Sequence, residues 1–297
     1  MRKYFVLIRA ALALFVITQL GACIAAKLTP NSKLVVLGHA GSGFFTPINP
    51  FNFRPPSSWR GVHHALRIGA DGVEIDLQMS QDSVVMLYHD QKLENSSTGS
   101  GCLSQHTAAE LTQLHYRGGW PYDWFQKERP VTFDTALARL SRRPSFPVLH
   151  LDLHEDDQCL PVGRQHDQVP LLIRQIARSL CRYQVPPEKI LLITQEGSTV
   201  RLAQAILPAG VRIGLEIASD EFAFGLRVAK IEKLHIVVLD ADRVTPEQST
   251  QAHAAGLTVV VFGGRSSNDI RRVLATQPDE IEVDNPKRLL ILQGRGK

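Results

Sequence analysis

The chain has 297 residues, 44% hydrophobic and 21% charged, a composition that fits one large globular domain or two small ones and excludes disordered and fibrous classes. Its 33 lysines and arginines outnumber 29 aspartates and glutamates, but Arg2, Lys3 and Arg9 open the chain, and beyond residue 22 the balance is 30 against 29. The basic excess therefore belongs to the N-terminus, and the rest lacks the electrostatic footprint of a nucleic-acid-binding protein.

The basic start is followed by an apolar run at 10–22, interrupted by Thr18 and Gln19. That run is too short for a membrane span of ~20 residues and reads as a signal peptide. Leu20-Gly21-Ala22-Cys23 resembles the lipobox of bacterial lipoproteins, with leucine three positions and a small residue one position before the cysteine. The resemblance implies removal of 1–22, lipidation of Cys23, and a membrane-proximal linker over 23–33. The mature protein would be exported and held on a bacterial membrane, facing the periplasm or the cell exterior. The alternative is an ordinary cleaved signal with an incidental cysteine. Among the other cysteines, Cys102 and Cys159 fall in polar loops and are expected to pair in an oxidising compartment. Cys181 lies in an apolar helical stretch and is expected to be a buried thiol.

From Leu34 onward, short apolar runs alternate with helical patterns. Strands are expected to begin near Leu34, Gly72, Pro147, Lys189, Arg212, His235, Thr258 and Glu280. Helices are expected at 58–68, 171–183, 199–206, 221–230, 246–255 and 268–275. Thr245-Pro246 and Ser267-Asn268 supply helix starts. Eight β units in roughly 260 residues predict an α/β fold, a (β/α)8 TIM barrel over 34–297. Runs such as Ile236-Val237-Val238-Leu239 suit a parallel sheet buried on both faces. After the second strand the alternation breaks: an extra strand over 84–88 precedes an inserted segment at about 90–133, which carries Trp120, Tyr122 and Trp124, and a helix follows at 134–140. An insertion on the rim is where loops build active sites. Its aromatic residues either wall a lipid or headgroup pocket or pack against one another.

Glu74 and Asp76 lie two apart in an apolar run, so on a strand both carboxylates share one face. Buried together they repel and lose hydration, which a divalent cation or a structural ion pair relieves. In a barrel, chemistry collects at the C-terminal ends of strands. Polar residues there are His39, Glu74, Asp76, His89, Asp152, His154, Gln195, Glu216, Asp240 and Asp284. Glu74, Asp76 and Asp152 are the expected metal ligands, and their hard oxygens suit Mg²⁺ or Ca²⁺ better than zinc.

On these residues the chain resembles the glycerophosphodiester phosphodiesterase family. The matching segments are His39-x-Gly41, Gly69-Ala70-Asp71-Gly72-Val73-Glu74-Ile75-Asp76 and His89-Asp90-x-x-Leu93. Looser likeness continues through Leu151-Asp152-Leu153-His154, Ala255-Gly256-Leu257-Thr258-Val259 and Val283-Asp284-Asn285-Pro286. The resemblance implies His39 and His89 as general acid and base, and a cation held by Glu74, Asp76 and Asp152. The substrate would be a small-molecule or lipid-derived phosphodiester, hydrolysed to an alcohol and glycerol 3-phosphate.

The departures are specific. Ala40 replaces the family arginine that holds phosphate, and Pro55-Pro56-Ser57-Ser58 lacks the glutamate of the family's Pro-Glu-Asn-Thr box. His154 replaces a lysine, and Asp152 is one methylene shorter than the family glutamate. Arg54, Arg60 and Arg265 are candidate replacements for the arginine, although loop arginines are ordinarily solvated. Asp284 either orients a ligand or, as favoured here, caps the helix that starts at Pro286. Asp152 also resembles the third acid of sphingomyelinase D enzymes, which raises a phospholipase D-like lyase as an alternative. A third reading is a catalytically impaired lipoprotein that binds a phosphate-bearing ligand.

Overall fold

The computed structural model describes residues 34–45, 49 and 51–296. The signal-type segment 1–22, Cys23 and the 23–33 linker lie outside the described residues. Eight parallel strands close on themselves: β1 (Val35–Gly38), β2 (Gly72–Met79), β5 (Val148–Leu153), β6 (Ile190–Thr194), β7 (Arg212–Ile217), β8 (Ile236–Asp240), β9 (Thr258–Gly263) and β10 (Glu280–Val283). β10 pairs with β1, and β1 pairs with β2, which completes the cylinder. Two short strands, β3 (Val85–Leu87) and β4 (Val131–Thr132), extend the β2 edge in antiparallel fashion. The expected α/β class, the (β/α)8 barrel and the insertion after the second strand are all present.

Helices follow the strands: α1 (Trp59–Arg67), α3 (Phe133–Leu140), α4 (Val169–Arg182), α5 (Gly197–Ile206), α6 (Phe222–Ile231), α7 (Pro246–Ala254), α8 (Ser267–Ala275) and α9 (Pro286–Leu292), with a single turn α2 (Ala108–Leu111) in the insertion. Side chains set several starts. Ser58 accepts a hydrogen bond from the Gly61 amide, and Thr245 and Gln248 form a reciprocal capping box on α7. α8 is capped by Ser266 with Asp269, one residue earlier than expected. Among the described residues no helix is long and apolar enough to cross a membrane.

Helix α4 buries Leu172, Ile173, Ile176 and Leu180 against the barrel wall, each contributing about 1.5–3 kcal/mol. Cys181, expected to be buried, is exposed. It follows Leu180 by one residue, about 100° around the helix, and so turns away from the buried stripe.

The barrel lumen is divided. Leu191, Ile193, Ile236, Val238 and Val260 fill the β6–β9 side, with Phe262 against them. On the β2, β5 and β10 side the alternate residues are Glu74, Asp76, His150, Asp152, Glu280 and Glu282. The insertion packs around its own small core of Met86, Tyr88, Leu93, Leu103, Leu111 and Tyr116. A Cys102–Cys159 disulfide, spanning 57 residues, ties it to the loop after β5, as the sequence suggested. A loop of that length is worth about 4 kcal/mol in the chain-entropy model.

Candidate active site

A cavity of about 520 Å³ opens at the C-terminal end of the strands. His39, Glu74, Asp76, His89 and Asp152, the five residues expected to carry the chemistry, all line it. So do His154, Gln195 and Glu216 from the same strand ends. Asp240 does not line it: its carboxylate accepts from the Asp242 amide and closes the local turn.

Backbone geometry delivers the acid pair. β2 is buried along its whole length, and Glu74 and Asp76 point into the lumen together. Register places Asp76 beside Asp152 on β5. The turn after β1 then grips Glu74. Ala40 sits at φ +43°, a left-handed conformation uncommon outside glycine, and its amide donates to Glu74 Oε2 at 2.5 Å. The position where the family carries arginine thus contributes a backbone donor to the acid pair. Ser57, also left-handed at φ +48°, donates its hydroxyl to Asp76 Oδ2 and accepts from the Asp76 amide at 3.1 Å. The resemblance aligned Ser57 with the asparagine of the Pro-Glu-Asn-Thr box, but its pairing with Asp76 depends on a 19-residue return of the chain.

The two histidines are held differently. His39 Nδ1 lies 2.6 Å from Asp284 Oδ1, and Nε2 lies 3.9 Å from Glu74 Oε2. Burial disfavours the imidazolium, but the charge and hydrogen bond of Asp284, with Glu74 and Glu282, override it and push the His39 pKa up to about 10. Asp284 was expected to cap the last helix. Instead Asn285 caps α9 by accepting from the Arg288 amide at 3.1 Å, leaving Asp284 to orient His39. The reason is topological: β10 lies beside β1, so the end of the last strand faces the end of the first. His89 follows β3, where Gln78 Nε2 donates to the carbonyls of Tyr88, His89 and Asp90 and fixes the turn. Its Nδ1 lies 3.2 Å from Asp90 Oδ1; burial opposes its charge, but Asp90 and Asp76 raise its pKa. The Phe44 ring packs edge-on against both imidazoles, at 5.3 Å from His39 and 5.0 Å from His89.

The acids are short of positive charge. Asp76, Asp152 and His154 each present a ligand atom within 4.8 Å of the others. Glu74 is outside that tight group, yet its Oε1 is buried with no hydrogen-bond partner. Burial and then the Asp76 charge push the Glu74 pKa well up. Burial, reinforced by Asp76 and Glu282, raises Asp152 to about 6; burial with Asp152 raises Glu216 to about 8. Asp76 moves the other way: burial opposes its ionisation, but the 3.0 Å hydrogen bond with His154, the His89 charge and the Ser57 hydroxyl keep it ionised. An orphaned carboxylate oxygen beside a three-donor cluster fits a divalent cation.

Among the described residues no arginine or lysine lines the cavity. Arg265 donates Nε to Asp284 Oδ2 at 3.1 Å, behind His39, and Arg60 donates to the Phe125 carbonyl. The cationic side chains facing the cavity are imidazoles, with His154 raised to about 9 by Asp76 against the cost of burial. Glu282 and His166 also reach the wall and were missed. The Glu280-x-Glu282 spacing matches Glu74-x-Asp76 and was the available signal.

A model of the Glycerophosphoryl diester phosphodiesterase family matches residues 57–288. A glycerophosphodiester phosphodiesterase of Bacillus altitudinis is 22% identical over 241 residues, covering 79% of this chain and 91% of its own. One of Bacillus subtilis is 27% identical over half of this chain and 52% of its own. Two probable glycerophosphodiester phosphodiesterases of Mycobacterium tuberculosis are 39% identical over 71 residues, so that the chain spans only 26% of their length. Among solved structures, an Oleispira antarctica phosphodiesterase in complex with the product sn-glycerol-3-phosphate superposes with a TM-score of 0.71 at 21% identity, covering 86% of this chain and 95% of that one. A glycerophosphodiester phosphodiesterase of Agrobacterium tumefaciens gives 0.65 at 19%, over 89% and 100%. The barrel matches theirs, and by the extent of the family match this chain belongs to the glycerophosphoryl diester phosphodiesterase family.

Proposed function

We propose that the chain hydrolyses glycerophosphodiesters, releasing an alcohol and glycerol 3-phosphate, with a divalent cation and two histidines. The observation that carries this reading is the convergence of His39, His89 and the Glu74, Asp76 and Asp152 carboxylates on one cavity. Asp76 and Asp152 would hold the cation, with Glu74 and the neighbouring His154 completing the donor set. Mg²⁺ or Ca²⁺ suits the carboxylates. When bound, the ion neutralises the charge that gathers on the phosphoryl oxygens.

The protein's own groups do the proton work. Asp284 fixes His39 with Nε2 toward the cavity and favours its protonated state, the state that gives a proton to the departing alcohol. His89 then accepts the proton of the attacking oxygen, from water or a neighbouring hydroxyl of the substrate, and Asp90 orients its ring. Among the described residues no arginine lines the wall, so His39, together with the bound cation, supplies the positive charge that faces the phosphate.

The test is turnover of glycerophosphocholine with EDTA, then with Mg²⁺ or Ca²⁺ restored. The expected outcome is loss and recovery of glycerol 3-phosphate release, and a fall of about 10²–10⁴-fold in His39→Ala or His89→Ala. Full activity in His89→Ala overturns the chemistry. The third-place Asp152 favours a second reading, a sphingomyelinase D-like lyase, and a cyclic phosphate in the phosphorus NMR spectrum would select it. Binding of a phosphate ligand without any product would select the impaired lipoprotein. For location, we propose export and anchoring through lipidated Cys23, checked by acyl labelling that Cys23→Ser abolishes.

A further inference from the structure

The rim insertion and the loop after β1 carry a large exposed aromatic surface. Trp120 is 77% exposed, Trp124 72%, Phe51 80% and Phe125 53%. Rings link this surface to the histidines. Trp120 and Trp124 pack edge to face at 6.0 Å, and Tyr122, on the same 3-10 turn as Trp124, lies 4.7 Å from Phe45 and 5.8 Å from Phe53. Phe53 packs at a tilt against Phe125, with ring centroids 4.6 Å apart. Phe44, beside Phe45, touches both His39 and His89. The aromatic rim is therefore continuous with the mouth of the cavity.

Trp120, Trp124 and Phe125 leave on the order of 400 Å² of apolar surface in water, within the range of the largest patches on monomers, which are often functional. Three cationic side chains lie along its borders. Arg60, whose guanidinium holds the Phe125 carbonyl, and the exposed Arg117 and Lys127 have no carboxylate partner among the described residues. The acids of the 117–128 stretch are Asp123, which accepts from the Gly118 amide, and Glu128, while Asp90 and Glu94 line a pocket with Phe44, Phe45 and Arg117. Tryptophan, with an apolar body and one N–H, prefers the boundary between hydrocarbon and headgroups, and each nearby lysine or arginine strengthens association with an anionic surface.

We propose that this rim docks on a lipid surface bearing anionic headgroups, with Trp120 and Trp124 inserted at the boundary, Arg60, Arg117 and Lys127 on the headgroups, and the cavity mouth facing the lipid. Docking itself does not depend on the catalytic reading. Its consequence does: the substrates served best are phosphodiesters presented at a lipid surface.

The test holds the full chain on phosphatidylcholine vesicles containing phosphatidylglycerol, with brominated acyl chains as quencher. Two of the three tryptophans lie in the patch. Trp59, the third, packs under Arg139 and serves as reference. Most of the emission should shift to the blue and be quenched, and Trp120→Ala/Trp124→Ala should abolish that quenching while soluble glycerophosphocholine is handled as by the parent. Arg60→Glu/Arg117→Glu should reduce the quenching on anionic vesicles. Emission unchanged by brominated lipid, even with the chain held on vesicles through its N-terminus, overturns docking. So does a dimer in sedimentation that the double tryptophan variant dissolves, since the patch would then be covered by a second copy. Quenching in a protein that turns over no diester sustains the docking and removes the catalytic reading instead.

Discussion

At the cavity mouth, Glu74 Oε1 is buried without a partner, and Asp152 and Glu216 are pushed toward their neutral forms. One layer further from the mouth, on the same strand as Asp152, His150 is wholly buried and lies between Glu280 and Glu282, while Arg212 clamps Glu280. Both regions use acids and histidines on inward-facing strand positions. The deeper cluster compensates its acids with its own cations, so it is a polar plug. The mouth cluster has more carboxylate than cation and an open cavity beside it, which is the arrangement of a binding site. Residue types alone do not separate plug from site; the local balance of charge does.

The sharpest way to break that comparison is His150→Leu. It leaves Glu280 and Glu282 without the imidazole between them and should destabilise the protein by roughly 3–5 kcal/mol in urea unfolding. A variant as stable as the parent would show that the plug does not depend on internal pairing.

Next in size is the acid limb of stability. Burial raises the pKa of Glu280, but His150 and Arg212 outweigh it and hold the carboxyl down at about 2, against 4.5 for the free group. Its folded value is depressed, so its contribution is present above 4.5 and is lost as the pH falls toward 2. The contribution is on the order of 3 kcal/mol. Glu280→Gln should lower stability at neutral pH, with the gap to the parent closing between pH 4.5 and 2.

The smallest effect is the most discriminating. Asp152 is raised from 3.8 to about 6, so its ionised form costs stability above that pH in the metal-free protein. Asp152→Asn should therefore be more stable than the parent by about 1–3 kcal/mol at pH 7, with little difference below pH 4. It should also lack the rise in melting temperature that Mg²⁺ or Ca²⁺ should give the parent. Equal stabilisation of both proteins by the ion would remove Asp152 from the cation site.

Much of this was legible in the chain itself. Strand starts fell within a residue or so of expectation because apolar runs bounded by turn residues carry their own period. Glu74 and Asp76 shared a face because alternate residues on a strand must. Cys181 was misread because a one-residue error in helical phase moves a side chain from the buried stripe to solvent. Glu282 was not among the strand-end residues named from the sequence, although Glu280-x-Glu282 repeats the spacing of Glu74-x-Asp76.

What the amino-acid order determined was periodic and local: the barrel, the faces of its strands, the helix caps and the supply of acids at strand ends. Only closure of the barrel decided which of those groups meet. It set Asp284 against His39 across 245 positions, Glu282 against His150 across 132, and Ser57 against Asp76 across a left-handed turn. Such pairings depend on which strand ends become neighbours and on how much positive charge arrives with them, and no local pattern in the chain records either.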